Sequence, residues 1–418
     1  MALFMDPAPG SYRRWFILVM GSLNFLLSMF YRGSTAVISP ALIRDMGMTG
    51  AQLSDLSAAF YYAFALSQLP LGVALDRLGP RITMSILSVA AIAGAAGFAV
   101  GQTPGHLVAA RVLLGIGMSG NMMVLFALLA AWFPVDRFAF LSGIAVAVGA
   151  AGNLLASTPL AVLSLRIGWR ESFLVFAAVN AAVVVAFILV SKDHPGGSRR
   201  NPGQKRPAFS GLGQLVGMYS YWAISLASFV RYGYFGALQS LWLGPFLVFG
   251  LGLGEMDAGN ALFFMGAGYM VGLPLLGQLS DRVLCSRKKA VLPPLVVFCL
   301  VTLSILAWTG EVPSWLIFLT FFSIGFTAAS GQILYAHIKE LLPPAMISQA
   351  MTSVNLFTTL GVGAMIHILG FFLGGEPSSL VGPQSYAPLW WVGVVALAVV
   401  CFLYSQVPDS RALQPNET

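Results

Sequence analysis

Two arginines stand inside otherwise apolar runs, Arg32 after Phe30 and Tyr31, and Arg231 in Phe229-Val230-Arg231-Tyr232-Gly233. A guanidinium does not deprotonate at physiological pH, and its planar fork of N–H donors fits a carboxylate or phosphate. Buried without a counter-charge it is costly, so a charge of this kind inside an apolar segment reads as a functional site. The acids do not follow the two arginines. Asp6, Asp76, Asp136, Asp193, Asp281, Glu340, Asp409 and Glu417 fall in one set of polar segments, and Asp45, Glu171, Glu255, Glu311 and Glu376 in the other. Asp55 and Asp257 open two apolar runs. None is expected midway along a run. The pattern points to a small anionic substrate as the missing counter-charge.

Further polar groups fall within helical reach of these cations. Asn24 and Ser28 precede Arg32 by two helical turns and one, and Tyr31 adjoins it. Gln239 and Trp242 follow Arg231 by two and three turns. Tyr61, Tyr62, Gln68, Tyr335 and Asn355 complete the expected substrate-binding set, with Asn121, Asn153 and Gln332 as weaker candidates for which helix–helix hydrogen bonding is the simpler role. His367, well inside an apolar run, and Asp55 are the candidates to carry a proton. Arg111 sits close enough to the end of its run for snorkelling to explain it.

The elements that must position these residues follow from composition. Of 418 residues, 58% are apolar and 9% charged, against roughly 25% charged in soluble domains. Such a chain cannot cover a water-facing surface, so an integral membrane protein is expected. Three Cys and four unclustered His argue against a disulfide framework or a metal site. The formal charge of +7 reads as membrane topology, not nucleic-acid binding. No phosphate-binding Gly-x-x-x-x-Gly-Lys-Ser/Thr loop and no catalytic constellation occurs, so neither an ATP-driven pump nor an enzyme is expected, and no cofactor.

A hydrocarbon core of about 30 Å takes about 20 apolar residues of helix. Twelve stretches qualify, over residues 15–40, 51–75, 82–101, 106–132, 138–165, 171–191, 217–250, 257–279, 290–309, 313–338, 345–374 and 387–406. With an even count, most of the 22 Lys and Arg gather on one face, which predicts both termini in the cytoplasm. No signal peptide is read at Met1–Gly10. The basic, Gly/Pro-containing stretch 192–214 divides a first six-span half, 1–191, from a second, 215–418.

The halves repeat. Gly72-Val-Ala-Leu-Asp76-Arg77 closes span two and Gly277-Gln-Leu-Ser-Asp281-Arg282 closes span eight, a shift of 205 residues that also maps Pro40 onto Pro245. Gly72-x-x-x-Asp76-Arg77-x-Gly79-Pro80-Arg81 resembles the loop motif of the major facilitator superfamily. Arg111-x-x-x-Gly115-x-Gly117, Trp132-Phe133-Pro134 and Gly168-Trp169-Arg170 resemble others of its motifs. The resemblance covers all twelve spans. It implies an all-α fold of two pseudo-symmetric six-helix bundles that open a central cavity to each side in turn. It implies that Gly72, Asp76, Arg77, Arg81, Asp281 and Arg282 gate the cytoplasmic side, with Gly72 allowing close helix approach. The Arg positions in spans one and seven are similar to those of the organophosphate/phosphate antiporter and organic-anion symporter branches. Gln68, and Val148 or Gly149, stand where the glycerol phosphate antiporters have a lysine and a histidine, which favours a carboxylate or a singly charged anion.

The expected function is thus secondary transport of a small organic anion, a carboxylate or phosphate ester, in a bacterial inner membrane. The expected partners are that anion, protons or a counter-anion, and bilayer lipid, with the chain monomeric. A proton-coupled exporter of drugs or metabolites is the alternative within transport, although Gly149-Ala-Ala-Gly152-Asn153 lacks the Gly-Pro of efflux antiporters. A membrane receptor or sensor on the same fold is the alternative of another class.

Overall fold

The computed structural model describes residues 11–193, 215–343, 346–374 and 377–410, and among these the regular structure is helical. Most of the linker expected over 192–214, from residue 194 onward, lies outside the described residues. The helices are α1 Ser11–Met46, α2 Gly50–Leu78, α3 Pro80–Val100, α4 Pro104–Met118, α5 Asn121–Trp132, α6 Val135–Leu155, α7 Thr158–Ile167 and α8 Trp169–Val190. They continue with α9 Tyr219–Ala237, α10 Glu255–Gln278, α11 Arg287–Ile305, α12 Ser314–Ala328, α13 Gln332–Leu341, α14 Ile347–Leu373 and α15 Ala387–Ser405.

Among the described residues ten helical stretches are long and apolar enough to cross a membrane, and eleven if α6 and α7, bent by 43°, count as one. Expected span seven is also helical. It continues from α9 through two π turns, Leu238–Trp242 and Phe246–Gly250. Span four breaks at Ser119 and Gly120 between α4 and α5, and span ten narrows to a 3-10 turn, Ala329–Gly331, between α12 and α13.

The helices form two compact units. One runs up to Arg32, from Ala63 to Leu155, and from Leu163 to the first gap. The other holds Gly33–Tyr62, Ala156–Val162 and the described residues from 215 onward. The boundary cuts α1 and α2 in mid-helix.

In the first unit, Ile17, Phe25, Met84, Leu125, Leu129, Trp132 and Phe187 belong to one buried apolar cluster. With lipid outside and no water to exclude, helices associate through close packing. Accordingly, a Cβ on Gly94 would collide with the Leu114 backbone, and one on Gly117 with Ala91, which zips α3 to α4. Arg170 ties the start of α8 to the end of α3, donating to the carbonyls of Ala99 at 2.8 Å and Gly101 at 2.6 Å.

The second unit uses the same device. Gly233 on α9 and Gly361 on α14 each meet the other helix's backbone, and Gly268, Gly272 and Gly325 bring α10 against α12. A Cβ on Gly244 would likewise collide with the Ala36 carbonyl and lie 3.0 Å from Ser39 Oγ, which brings this stretch against α1.

Candidate functional site

Arg231 projects from the middle of α9 and is 2% exposed. Its Nη1 donates to the Ala328 carbonyl at the end of α12, and its guanidinium fills the space beside Gly331 in the 3-10 turn. The Ala328 carbonyl at the start of the 3-10 turn and the missing side chain at Gly331 together make the seat. Nε has no hydrogen-bond partner, and among the described residues no carboxylate pairs with Arg231. Its titratable neighbours are the phenols of Tyr269, Tyr335 and Tyr232, with the Tyr232 ring centroid 5.8 Å from the guanidinium carbon. Tyr335 donates to Asn355 Oδ1 at 3.3 Å and lies 3.2 Å from the Thr358 hydroxyl. Gln332 donates to the Tyr269 hydroxyl at 3.5 Å. This is one buried cation ringed by phenols and amides, a set able to hold a carboxylate and neighbouring hydroxyls.

The set expected from sequence contained Arg231, Tyr335 and Asn355 but not Tyr269 or Thr358. Tyr269 lies in a glycine-rich stretch, Gly266-Ala-Gly268-Tyr269, whose close packing on α12 turns it toward this group.

In the first unit, Arg32 is half-buried, with its guanidinium carbon 4.8 Å from the Phe64 ring centroid. Gln68 donates to the Ser119 carbonyl at 2.7 Å, at the break in span four.

Several expected substrate ligands are instead occupied in packing. Ser28 donates to the Met118 carbonyl at 3.2 Å, and Asn24 donates from Nδ2 to the Met20 carbonyl at 3.1 Å while its backbone carbonyl accepts from Asn121 at 3.0 Å. The Ser28 side chain binds a neighbouring helix and the Asn24 side chain its own. Tyr31 is fully buried among Phe30 and Phe173. Trp242 is fully buried, its indole donating to the Ile366 carbonyl at 3.0 Å. Tyr61 is buried and hydrogen-bonded to Ser240. Gln239 is half-buried in the first π turn. Arg111 does not snorkel: it is fully buried and donates to the Tyr31 carbonyl at 2.7 Å, bracing α1 one residue before Arg32.

The two residues expected to carry a proton meet. His367 Nε2 lies 3.0 Å from Asp55 Oδ1, and its Nδ1 lies 3.0 Å from the hydroxyl of Tyr62, which joins this group and not the Arg231 pocket.

The expected gating residues separate. A Cβ on Gly72 or Gly277 would meet nothing within 4 Å, so neither glycine serves a close approach in this structure. The Asp76 side chain lies outside the described residues, and Arg77 and Arg282 are exposed. Arg81 receives Asp193 at its backbone N–H, 2.7 Å away, and donates from Nη2 to the Ile188 carbonyl at 2.7 Å. Asp281 pairs with Arg287 at 2.5 Å, not with its neighbour Arg282. Arg287, buried at the start of α11, also forks onto Glu340 Oε1 at 2.9 and 2.6 Å. The C-terminal segment joins in, as Ser410 donates to Glu340 Oε2 at 2.6 Å and Asp409 accepts from the Arg287 backbone at 3.2 Å. Arg287 reads in sequence as one more basic residue beside Lys288 and Lys289. Its two acids lie 6 and 53 residues away.

A profile described as Major Facilitator Superfamily matches residues 21–366. The probable sulfoacetate transporter SauU of Cupriavidus necator is 27% identical over 286 residues, a match spanning 65% of each chain. The hexuronate transporter of Escherichia coli K12 is 24% identical over 66% of this chain and 69% of its own. A chloramphenicol resistance protein of Streptomyces lividans is 28% identical over 95% of this chain and 96% of its own. Among solved structures, a D-xylose-proton symporter has a TM-score of 0.75 at 17% identity, covering 95% of this chain and 98% of that one. That likeness concerns the fold.

Proposed function

The chain belongs to the Major Facilitator Superfamily, and on that premise we propose that it is a secondary transporter moving a small organic anion across a bacterial inner membrane by alternating access. The observation that carries this reading is Arg231: a buried cation, without a carboxylate among the described residues, seated in a ring of phenols and amides. A buried guanidinium with a free Nε is stabilised by an incoming anion and costly without one. Arg32, half-buried on α1 beside Phe64, is also proposed as an anion-binding residue. A carboxylate or sulfonate is favoured over a phosphate ester, in keeping with the named substrates of two relatives, sulfoacetate and hexuronate. The termini face the cytoplasm in this reading. The loop around Gly72–Arg81, with Asp281, Arg282 and the Arg287 network, gates that side.

Coupling follows from charge. Arginines do not carry protons, and an empty site with buried cations reorients poorly, so exchange of one anion for another is the simplest cycle. A second reading, export of an uncharged drug, draws on the chloramphenicol resistance relative that matches nearly end to end. A thermal-shift screen of the purified protein against sulfoacetate, hexuronates, phosphate esters and chloramphenicol separates the two, because a ligand stabilises the state it binds. Stabilisation by carboxylates or sulfonates, followed by their uptake into proteoliposomes, supports anion transport. Stabilisation by chloramphenicol alone overturns it.

A further inference from the structure

The first half of α2 and the second half of α14 are zipped along one face within the second unit. Gly363 leaves room for the Tyr62 ring, His367 bridges Tyr62 and Asp55, and Gly370 receives the Ser54 hydroxyl. Residues 363, 367 and 370 recur at helical spacing, as do 55 and 62 on the opposing helix, so the three contacts form one seam. The first π turn adds Trp242, whose indole donates to the Ile366 carbonyl and whose ring lies beside Gly370, and Ser240, hydrogen-bonded to the Tyr61 phenol of α2. Of the other elements on α14, α9 carries Arg231 near the level of Gly361, and α13 turns Tyr335 to Asn355 and Thr358. α15 turns Tyr404 to His337. The titratable groups bonded to the His367 imidazole are therefore Asp55 and Tyr62.

We propose that Asp55, His367 and Tyr62 form a proton-binding site whose occupied form holds α2 against α14, and so closes the side of the transporter on which these helix ends lie. In the neutral ring, Nε2–H donates to Asp55 and Nδ1 accepts from the Tyr62 hydroxyl. Protonation places a full positive charge 3.0 Å from the carboxylate and makes Nδ1–H a donor to the Tyr62 oxygen. The proton-bound form therefore gains more from the seam than the neutral form does. By linkage, the closed seam and the proton favour each other, and low pH shifts the population toward closure. The site also lies near the anion pocket: His367 is six residues beyond Gly361, roughly 9 Å along α14. The proton thus regulates which side is open, while anion exchange drives the cycle. This inference rests on the alternating-access reading for its functional meaning.

The test uses the full chain in lipid nanodiscs without substrate, carrying spin labels at Ala51→Cys and Phe371→Cys, with Cys285, Cys299 and Cys401 replaced by Ala. Ala51 and Phe371 are exposed at the two helix ends. Distances between them are measured at about pH 8 and about pH 5.5. The expected result is a rise of roughly fivefold in the ratio of short to long distances at the lower pH. His367→Gln flattens that response. So does Asp55→Asn, an isosteric change at a side chain that is 63% exposed and so carries little risk to folding. A wild-type distribution unchanged by pH overturns the proposal, as does an unaltered response in both variants. Anion uptake with pH-independent distances removes the proton site and leaves the transport reading standing. A pH-dependent seam in a protein that neither binds nor moves anions removes the transport reading and keeps the site.

Discussion

The Arg231 guanidinium occupies the space beside Gly331 that the Cβ of any other residue would take. The cation and the glycine are one hundred positions apart in the chain, and the 3-10 turn Ala329–Gly331 brings them together, with the Ala328 carbonyl at its start accepting from Nη1. The seat of Arg231 therefore depends on a residue with no polar side chain. Gly331→Ala should displace Arg231 and lower affinity for the bound anion at least about tenfold, ~1.4 kcal/mol, with expression intact. Isothermal titration with sulfoacetate or a hexuronate checks this; unchanged affinity would show that the cation is not held by this turn.

Arg231→Ala and Arg32→Ala should each abolish measurable anion binding. Lys at either position should restore little, because an ammonium lacks the two-pronged donor geometry. Thermal shift on the purified variants reads the outcome, and wild-type stabilisation by the anion in either Ala variant would remove that arginine from the site.

Arg287 makes the opposite kind of prediction. Its partners Glu340 and Asp281 are already in place, so its role is to hold α11, α13 and the segment around Ser410 together. Arg287→Met leaves carboxylates facing one another and should destabilise by about 2 kcal/mol, less than a fully buried pair would lose because Asp281 is exposed. Substrate affinity should be unchanged. A lower denaturation midpoint with wild-type binding is the expected pair of results, and Arg287→Met combined with Glu340→Gln should recover part of the loss.

Coupling by exchange predicts that proteoliposomes preloaded with unlabelled anion take up labelled anion faster than empty ones given a pH gradient. Radiotracer uptake compares the two. Concentrative uptake driven by the gradient alone, persisting in His367→Gln and Asp55→Asn, would contradict this coupling.

Hydropathy and charge placement in the chain by themselves determined the helical membrane character, most span limits, the duplicated Gly/Asp/Arg loops and the two arginines that stand inside apolar runs. These are properties of composition along a line: lipid demands about 20 apolar residues per crossing, and a cation within one is conspicuous. Only the tertiary structure decided which polar side chains face a site and which bind a neighbouring helix. In a membrane helix the face toward lipid and the face toward a neighbour are both apolar, so no hydrophobic stripe marks the difference. Asn24, Ser28, Tyr61 and Trp242 read like ligands by spacing and are held by packing. Tyr269 and Thr358, absent from the expected set, stand around Arg231 or its tyrosine neighbour. The joining of Asp55 to His367 across 312 positions, and of Arg287 to Glu340, depends on glycine-paced helix contacts and buried charge pairing, which a one-dimensional pattern does not contain.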